Sequence, residues 1–215
     1  MVNDFTIMIP SNRLELANET KKCFSDFNCI IQNGENYPSF SKLINDCIIN
    51  CPTEIVIIAN DKVRGNNIHI EKMIELINDG YGIVGLYAFA FIGFKKDLIR
   101  KIGFLDERYF GGGFEDRDMM IRLRESNIAY YETRETPYVY LPSSWEYSKV
   151  KNPKASLHYN KKWGEENGDI YRKIDEEKYT YDISTYTGSK FKLSTDKDAI
   201  GKGNHSWSNI KIIKK

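Results

Sequence analysis

The chain has 215 residues, and its 31 Lys and Arg side chains nearly balance its 30 Asp and Glu side chains, for a formal net charge of +1. This length is typical of one domain with a substantial core, so we expect a single domain over 1–215 with its core at about 5–164. The charge balance does not favour a nucleic-acid or membrane-surface partner, and no apolar run reaches transmembrane length.

Hydrophobic periodicity and turn residues divide the chain into alternating strands and helices. In chain order, the predicted elements are a strand at 5–9 that Pro10 stops, a helix at 13–27, a strand at 29–31, a helix at 39–50, a strand at 54–59, a helix at 68–78, one or two strands within 83–94, a helix at 95–102, a helix at 116–126 and a strand at 138–141. A polar helix and tail are expected over 165–215.

The first half of the chain alternates strand and helix three times. This order predicts an α/β domain with a mostly parallel central sheet and helices on both faces. In such sheets ligands bind beyond the carboxyl ends of the strands. Three segments follow such ends, at 10–13, 32–36 and 60–64.

Three consecutive glycines at 111–113 precede three acids, Glu115, Asp116 and Asp118, that open a predicted helix. Acids in a first helical turn offset the macrodipole, and this explains Asp118, which can also pair with Arg122 one turn on. Capping does not need three glycines, whereas close approach of the backbone to a ligand does. We therefore expect Glu115 and Asp116 to belong to a site that handles a sugar hydroxyl or a metal.

Two further positions are candidates for chemistry. Asn60-Asp61 follows the most apolar predicted strand, where an acid can bind a divalent cation or simply cap a turn. His158 lies beside Lys161 and Lys162, which are suited to a diphosphate but equally to a solvated surface.

The four cysteines complete no zinc spacing, and with no visible signal peptide we expect reduced thiols in a cytoplasmic protein.

Four segments together resemble the signatures of A-type-fold glycosyltransferases, broadly family 2. They are I-M-I-P-S-N-R at 7–13, I-I-A-N-D at 57–61, G-F-L-D-E-R-Y-F-G-G-G-F-E-D-R-D at 103–118 and H-Y-N-K-K-W-G at 158–164. They occur in the family's order, and the resemblance implies a single Rossmann-like A-type glycosyltransferase domain. The compact size is also similar to the glycosyltransferase domains of large algal and amoebal DNA viruses, which would place the protein in a host cytoplasm.

The resemblance also implies roles for individual residues. Asp61 and His158 would bind a divalent metal, Mn2+ or Mg2+, that neutralises the donor diphosphate. Asp116, or alternatively Glu115, would act as general base toward the acceptor hydroxyl. The positions implied in nucleotide and donor binding, with either Gln32 or Asn33 meeting the base, are Pro10, Asn12, Arg13, Gln32, Asn33, Asn60, Lys161, Lys162 and Trp163.

The implied activity is metal-dependent transfer of a hexose or deoxyhexose from a nucleotide-diphosphate sugar, expected to be a UDP-sugar, to a glycan hydroxyl. Two other classes stay open. A nucleotidyltransferase normally has a glycine-rich basic loop after its first strand, which 10–13 lacks. A non-catalytic glycan- or nucleotide-sugar-binding module would keep the fold without the chemistry, and the chain is also compatible with one domain of a longer multidomain transferase.

Overall fold

The structure is a computed structural model that describes residues 4–109 and 113–141, the residues Ala155, His158, Tyr159, Lys162 and Trp163, and the backbone of Thr180–Tyr181. The helices described are α1 (Leu14–Cys23), α2 (Phe40–Asn50), α3 (Asn67–Asn78), α4 (Asp97–Ile102) and α5 (Glu115–Glu125). The strands described are β1 (Phe5–Ser11), β2 (Cys29–Asn33), β3 (Ile55–Ala59), β4 (Ile83–Tyr87), β5 (Phe91–Lys95), β6 (Tyr130–Glu132) and β7 (Thr180–Tyr181). Apart from β7, the helix and tail predicted over 165–215 lie outside the described residues.

The described strands form one sheet in the order β2-β1-β3-β5-β4-β6-β7. Strand β1 pairs in parallel with β2 and β3, and β4 pairs in parallel with β6. Strand β5 runs antiparallel between β3 and β4, and β7 runs antiparallel to β6. Because β1, β2, β3, β4 and β6 all run in one direction, the mostly parallel sheet predicted from the sequence is confirmed.

Alternation along the central strands sends side chains into two cores, one on each face of the sheet. Ile7 and Ile57 pack in a cluster with residues of α1 and α3, whereas Met8 and Ile58 pack with residues of α2, α4 and α5. Strand β3 is buried along its whole length, which is why its sequence is one continuous apolar run. The predicted α/β class with helices on both faces is therefore confirmed.

Strand β1 does not stop at Pro10, as predicted, but continues to Ser11. Its pairing with β3 reaches only Met8, opposite Ile58, while its pairing with β2 continues through Pro10, opposite Gln32. Beyond Met8 one side of β1 is therefore an edge, and an edge position tolerates the missing N–H of proline.

Two other predicted boundaries were wrong. Helix α1 ends at Cys23 instead of continuing, because Phe24 turns away from the helix and is fully buried in the core. The strand predicted at 138–141 is reduced to a single bridge between Tyr138 and Val63. A short exposed segment with one ladder partner does not make a strand, whatever its β propensity.

The structure bears on two expectations from the sequence, namely unpaired cysteines and the lack of a transmembrane run. All four cysteines are free, and all but Cys23 are buried, which confirms the interpretation as unpaired thiols. Among the helices that the structure describes, none combines the length and the apolar character that crossing a bilayer requires.

Candidate active site

The carboxyl ends of β1, β2 and β3 lie side by side at one edge of the sheet, as the parallel pairing requires. Ser11 at the end of β1 lies opposite Asn33 at the end of β2. Just beyond them Asn12, Arg13 and Asn33 line a cavity of about 480 Å³. The cavity's other lining residues are Leu14, Glu15, Leu16 and Glu35. Three residues predicted to bind the nucleotide therefore share one cavity, which we call the edge cavity.

Gln32 and Asn33, the two residues predicted to meet the nucleotide base, differ in their contacts. The amide of Gln32 donates a hydrogen bond to the hydroxyl of Tyr37 at 3.1 Å, which holds it within its own strand and loop. Asn33 is exposed and lines the edge cavity, and its Oδ1 accepts a hydrogen bond from the backbone of Glu35. Pro10 is buried on β1 opposite Gln32. Of the two predicted residues, Asn33 lines the edge cavity and Gln32 does not; which of them meets a base stays a prediction.

Asp61 is buried behind the edge cavity and holds Arg13 in a two-point ion pair. Its Oδ1 accepts from Nη2 of Arg13 at 2.9 Å, and its Oδ2 accepts from Nε of Arg13 at 3.1 Å and from Oγ of Ser11 at 2.7 Å. The backbone carbonyl of Asp61 accepts from Thr20 at 2.8 Å and from Arg64 at 3.0 Å. Two-point pairs of this kind fix geometry as well as charge, so Asp61 orients the guanidinium at the wall of the cavity.

The same contacts test whether Asp61 fits a divalent cation. A carboxylate is the hard oxygen ligand that Mn2+ or Mg2+ prefers, but both oxygens of Asp61 already accept hydrogen bonds. Within the described residues, no three His, Cys, Asp or Glu side chains are grouped as a metal site. As arranged, these residues do not fit a bound cation, because Asp61 must first release Arg13. The metal assignment stays a prediction.

A second cavity begins at Asn60, beyond the end of β3, and is lined by the predicted catalytic acids. Asn60, Glu115 and Asp116 line its polar side, and its volume of about 160 Å³ is that of roughly five waters. The remaining walls are almost entirely apolar and consist of Phe40, Ile44, Ile58, Phe89, Ala90, Ile92, Phe94, Leu105 and Met119. We call it the acid cavity, since it brings two carboxylates into mainly hydrophobic surroundings.

The apolar surroundings raise the pKa of both acids. Burial, together with the negative charge of Asp116, raises the pKa of Glu115 to about 8. Burial also raises the pKa of Asp116, although the backbone N–H and the charge of Arg117 oppose that rise. That N–H donates to Oδ1 of Asp116 at 2.8 Å. Of the two acids, Glu115 therefore holds its proton more strongly, because the charge of Asp116 opposes its ionisation.

The turn into α5 depends on two residues with left-handed backbone. Gly113 has φ of 104° and Phe114 has φ of 73°, and the carbonyl of Phe114 accepts the first hydrogen bond of the helix, from Asp118 at 2.9 Å. A Cβ added at Gly113 would meet no atom within 4 Å. The left-handed backbone is one reason for a glycine at position 113. The expected approach of a ligand to the triplet stays a prediction, and the other two glycines lie outside the described residues.

Two other acids of the same motif, Asp106 and Asp118, are fully buried and fully paired. Asp106 forms ion pairs with Arg108 at 2.6 Å and Lys162 at 2.9 Å, and Asp118 pairs with Arg122 at 2.9 Å, as predicted, and with Lys162 at 2.5 Å. Burial alone would raise the pKa of Asp106, but hydrogen bonds from His158 and Arg108 and the charge of Lys162 hold it well below its usual range. We call these side chains the buried ion cluster.

The buried ion cluster also accounts for the late motif of the sequence. His158 contacts Oδ2 of Asp106 at 3.1 Å, and the indole N–H of Trp163 donates to Asp118 at 2.7 Å. The structure thus brings His158, Lys162 and Trp163 to the two buried acids, and none of the described contacts joins His158 to Asp61. Their roles toward a metal or donor stay predictions. Lys161, also predicted to bind the donor, lies outside the described residues.

Sequence reasoning missed several residues that build the site. Ser11 and Thr20 hold Asp61 from two sides, and Phe114 sets the entry to α5. Asp106 stands within the motif, but its spacing from His158 gave no sign that they meet. Ser11 was the most predictable of these residues, because a hydroxyl at the carboxyl end of a central strand lies at the edge of the sheet where ligands bind.

Comparison with known proteins gives limited guidance. No family model and no curated protein matches the chain. Among solved structures, the chain is similar to a mutant of the Drosophila β-1,4-galactosyltransferase 7 in a complex with manganese, UDP-Gal and xylobiose, with a TM-score of 0.49 and 10% sequence identity. The similarity covers 59% of this chain and 63% of that one. A likeness of this extent assigns no activity or residue role, and it does not bear on the viral resemblance, which stays a prediction.

If Arg13 competes with a cation for Asp61, removing its guanidinium should expose a metal ligand. We expect Arg13→Ala to bind Mn2+ about tenfold more tightly than the wild type in a calorimetric titration, because both carboxylate oxygens and a negative charge become available. The double variant Arg13→Ala/Asp61→Ala should bind no more tightly than the wild type. Equal Mn2+ affinities in wild type and Arg13→Ala would remove Asp61 from the metal assignment.

The raised pKa of Glu115 predicts how its contribution to stability varies with pH. The folded state holds the proton up to about pH 8, whereas the unfolded state releases it near the ordinary value of 4.5. The glutamate therefore destabilises the fold progressively as pH rises from 4.5 toward 8. Glu115→Gln should raise the melting temperature by a few degrees at pH 9 but not at pH 5. The gain in the free energy of unfolding at pH 9 is on the order of 2 kcal/mol, after allowance for the partial exposure of the side chain.

Asp97→Asn is the matched control for this measurement. Hydrogen bonds from Lys101 lower the pKa of Asp97, so it is ionised in both states throughout this pH range. Its effect on the melting temperature should be the same at pH 5 and pH 9. A Glu115→Gln effect that is equally independent of pH would show that Glu115 is ionised in the folded protein at neutral pH.

Proposed function

We propose that this chain is a glycosyltransferase that moves a hexose or deoxyhexose from a nucleotide-diphosphate sugar, expected to be a UDP-sugar, to a glycan hydroxyl. The observation that carries the proposal is the adjacency of two cavities at the carboxyl edge of one sheet. The edge cavity presents a fixed cation, Arg13, and the acid cavity presents two carboxyl groups, those of Glu115 and Asp116. Asn60 lines the acid cavity, and the next residue, Asp61, holds Arg13 at the edge cavity.

The edge cavity is suited to the nucleotide half of the donor. Asn12 and Asn33 offer amide groups for hydrogen bonds, and Arg13 offers a planar cation held in place by Asp61. A diphosphate placed here would face oriented positive charge, which stabilises it both as bound ligand and as leaving group.

The acid cavity is suited to the reaction itself. Burial raises the pKa of Glu115 to about 8, so Glu115 holds a proton at neutral pH and cannot accept a second one. At Asp116 the backbone N–H and the charge of Arg117 oppose the rise in pKa, and the N–H orients the carboxyl group. We therefore assign the base to Asp116, in preference to Glu115. The apolar walls exclude water and strengthen the interaction of the Asp116 carboxylate with an acceptor hydroxyl.

In the proposed step the acceptor oxygen attacks the anomeric carbon of the donor sugar. The bond from that carbon to the diphosphate oxygen breaks with its electron pair, and the nucleoside diphosphate leaves toward Arg13. The hydroxyl proton passes to Asp116. A divalent cation, Mn2+ or Mg2+, belongs to this proposal only where it displaces Arg13 from Asp61, and no step here depends on it.

The main rival is a binding module of the same fold that lacks the chemistry. Two neighbouring carboxyl groups in an apolar cavity favour the enzyme, because a module that only binds glycans has no use for two acids that are costly to bury. Release of nucleoside diphosphate from a panel of nucleotide sugars separates the two, since a binding module releases none.

Asp116→Asn tests the proposed base. The amide keeps an oxygen for the N–H of Arg117 but cannot accept the proton, so we expect the rate of donor cleavage to fall by about 10²- to 10⁴-fold while nucleotide affinity changes less than about twofold. Glu115→Gln is the matched control, because it mimics the protonated form and should lose less than about tenfold at pH 7. Cleavage at the wild-type rate by Asp116→Asn would remove Asp116 from the base role.

A further inference from the structure

Three tyrosines form a contiguous aromatic surface beside the edge cavity, and we call Tyr87, Tyr138 and Tyr140 the tyrosine platform. The rings of Tyr87 and Tyr138 are stacked, with centroids 4.3 Å apart and planes 4° from parallel. Tyr140 stands edge-on against both, at 6.3 Å and 68° from Tyr87 and at 5.6 Å and 71° from Tyr138. The hydroxyl groups of Tyr87 and Tyr140 are in contact.

Tyr140 is the exposed part of the platform, whereas Tyr87 and Tyr138 are half-buried and pack against the core on the α1 and α3 face. The side chain of Tyr140 is 80% accessible to solvent, and neighbouring Leu141 is 41% accessible. Isolated exposed aromatic residues are ordinary, but three in mutual contact on one patch are typical of a binding surface. The stack of Tyr87 on Tyr138 orders the patch in advance, so that a ligand does not have to immobilise it.

Backbone hydrogen bonds fix the platform to the site. The N–H of Arg64 donates to Pro137 at 2.9 Å, and the N–H of Val139 donates to Lys62 at 2.9 Å. The tyrosine segment is therefore bound to the residues that directly follow Asp61. Lys62 reaches across it, with its ammonium 5.8 Å from the centre of the Tyr138 ring and bonded to the carbonyl of Leu141 at 3.0 Å.

The platform and the acid cavity both lie at the carboxyl edge of the sheet, but toward opposite faces. Tyr87 and Tyr138 pack against the core on the α1 and α3 face, whereas the acid cavity is lined by residues of the core on the other face. The turn that leads from Tyr87 into β5 contains Phe89 and Ala90, and both line the acid cavity. An acceptor glycan that reaches both Asp116 and the tyrosine rings must therefore cross this one short turn.

We propose that the tyrosine platform binds a pyranose ring of the acceptor glycan, one or more units away from the hydroxyl that receives the sugar; this inference rests on the proposed function. A pyranose presents a flat face of C–H bonds, whose partial positive charge suits the negative face of an aromatic ring. Its rim of hydroxyls suits the phenolic groups of Tyr87 and Tyr140 and the ammonium of Lys62.

The test compares Tyr140→Ala with Tyr140→Phe, which keeps the ring, and with Tyr81→Ala as a matched control. Tyr81 is part of another aromatic pair, with Tyr131, but it precedes β4 at the opposite edge of the sheet. Because Tyr140 is mostly exposed, its truncation should leave the melting temperature unchanged. Each variant is labelled and applied to an array of immobilised oligosaccharides, with and without UDP, and its UDP affinity is measured separately by calorimetry.

We expect the wild type to bind a set of pyranose-containing glycans, Tyr140→Ala to lose about tenfold or more in affinity for them, and the two controls to stay within about threefold. Unchanged glycan binding by Tyr140→Ala, or no glycan bound by the wild type, overturns the proposal. A loss of UDP affinity in Tyr140→Ala also overturns it, because the ring would then serve the donor. Ring-dependent glycan binding without UDP binding by any variant supports the platform and contradicts the proposed transferase.

Discussion

The candidate site depends on the burial of two charged carboxylates, Asp106 and Asp118. A buried carboxylate is costly unless cations and hydrogen bonds satisfy it, so these two acids require Lys162, Arg108 and Arg122 to converge on them. Residues distant in sequence are thereby fixed against the start of α5. Removing one partner of such a cluster typically costs about 3–5 kcal/mol, so the position of α5 is held firmly.

This constraint separates the clustered acids into two kinds. Asp118 is fully buried and is held by Arg122 and Lys162 of the buried ion cluster, whereas Asp116, in the same helical turn, lines the acid cavity. Among the described residues no ion pair holds Glu115 or Asp116, and burial raises the pKa of both. The arginine and lysine side chains of the buried ion cluster thus pair with the two structural acids and not with the two acids of the acid cavity. At the edge cavity the arrangement is the opposite, because there the acid, Asp61, forms an ion pair that holds the cation Arg13 at the cavity wall.

Much of this arrangement was predictable where the signal is local. The apolar runs of β1 and β3 and the α5 pairing of Asp118 with Arg122 follow from neighbouring residues. Predictions failed where a distant partner decides. Phe24 ends α1 because the core accepts its ring, and His158 and Lys162 meet Asp106 through contacts that span more than 50 residues of sequence. Asp61 was correctly placed at the sheet edge, but its pairing with Arg13, 48 residues earlier, was not visible from sequence.

The central claim is that the sheet edge beside Arg13 and Asp61 binds a nucleoside diphosphate. The most direct test is calorimetric titration of the wild type with UDP, GDP, CDP and dTDP, each with and without Mn2+. The account predicts saturable binding of one of them, with UDP as the first expectation, and loss of that binding in Arg13→Ala without added metal. Absence of binding by all four nucleotides under both conditions would contradict it.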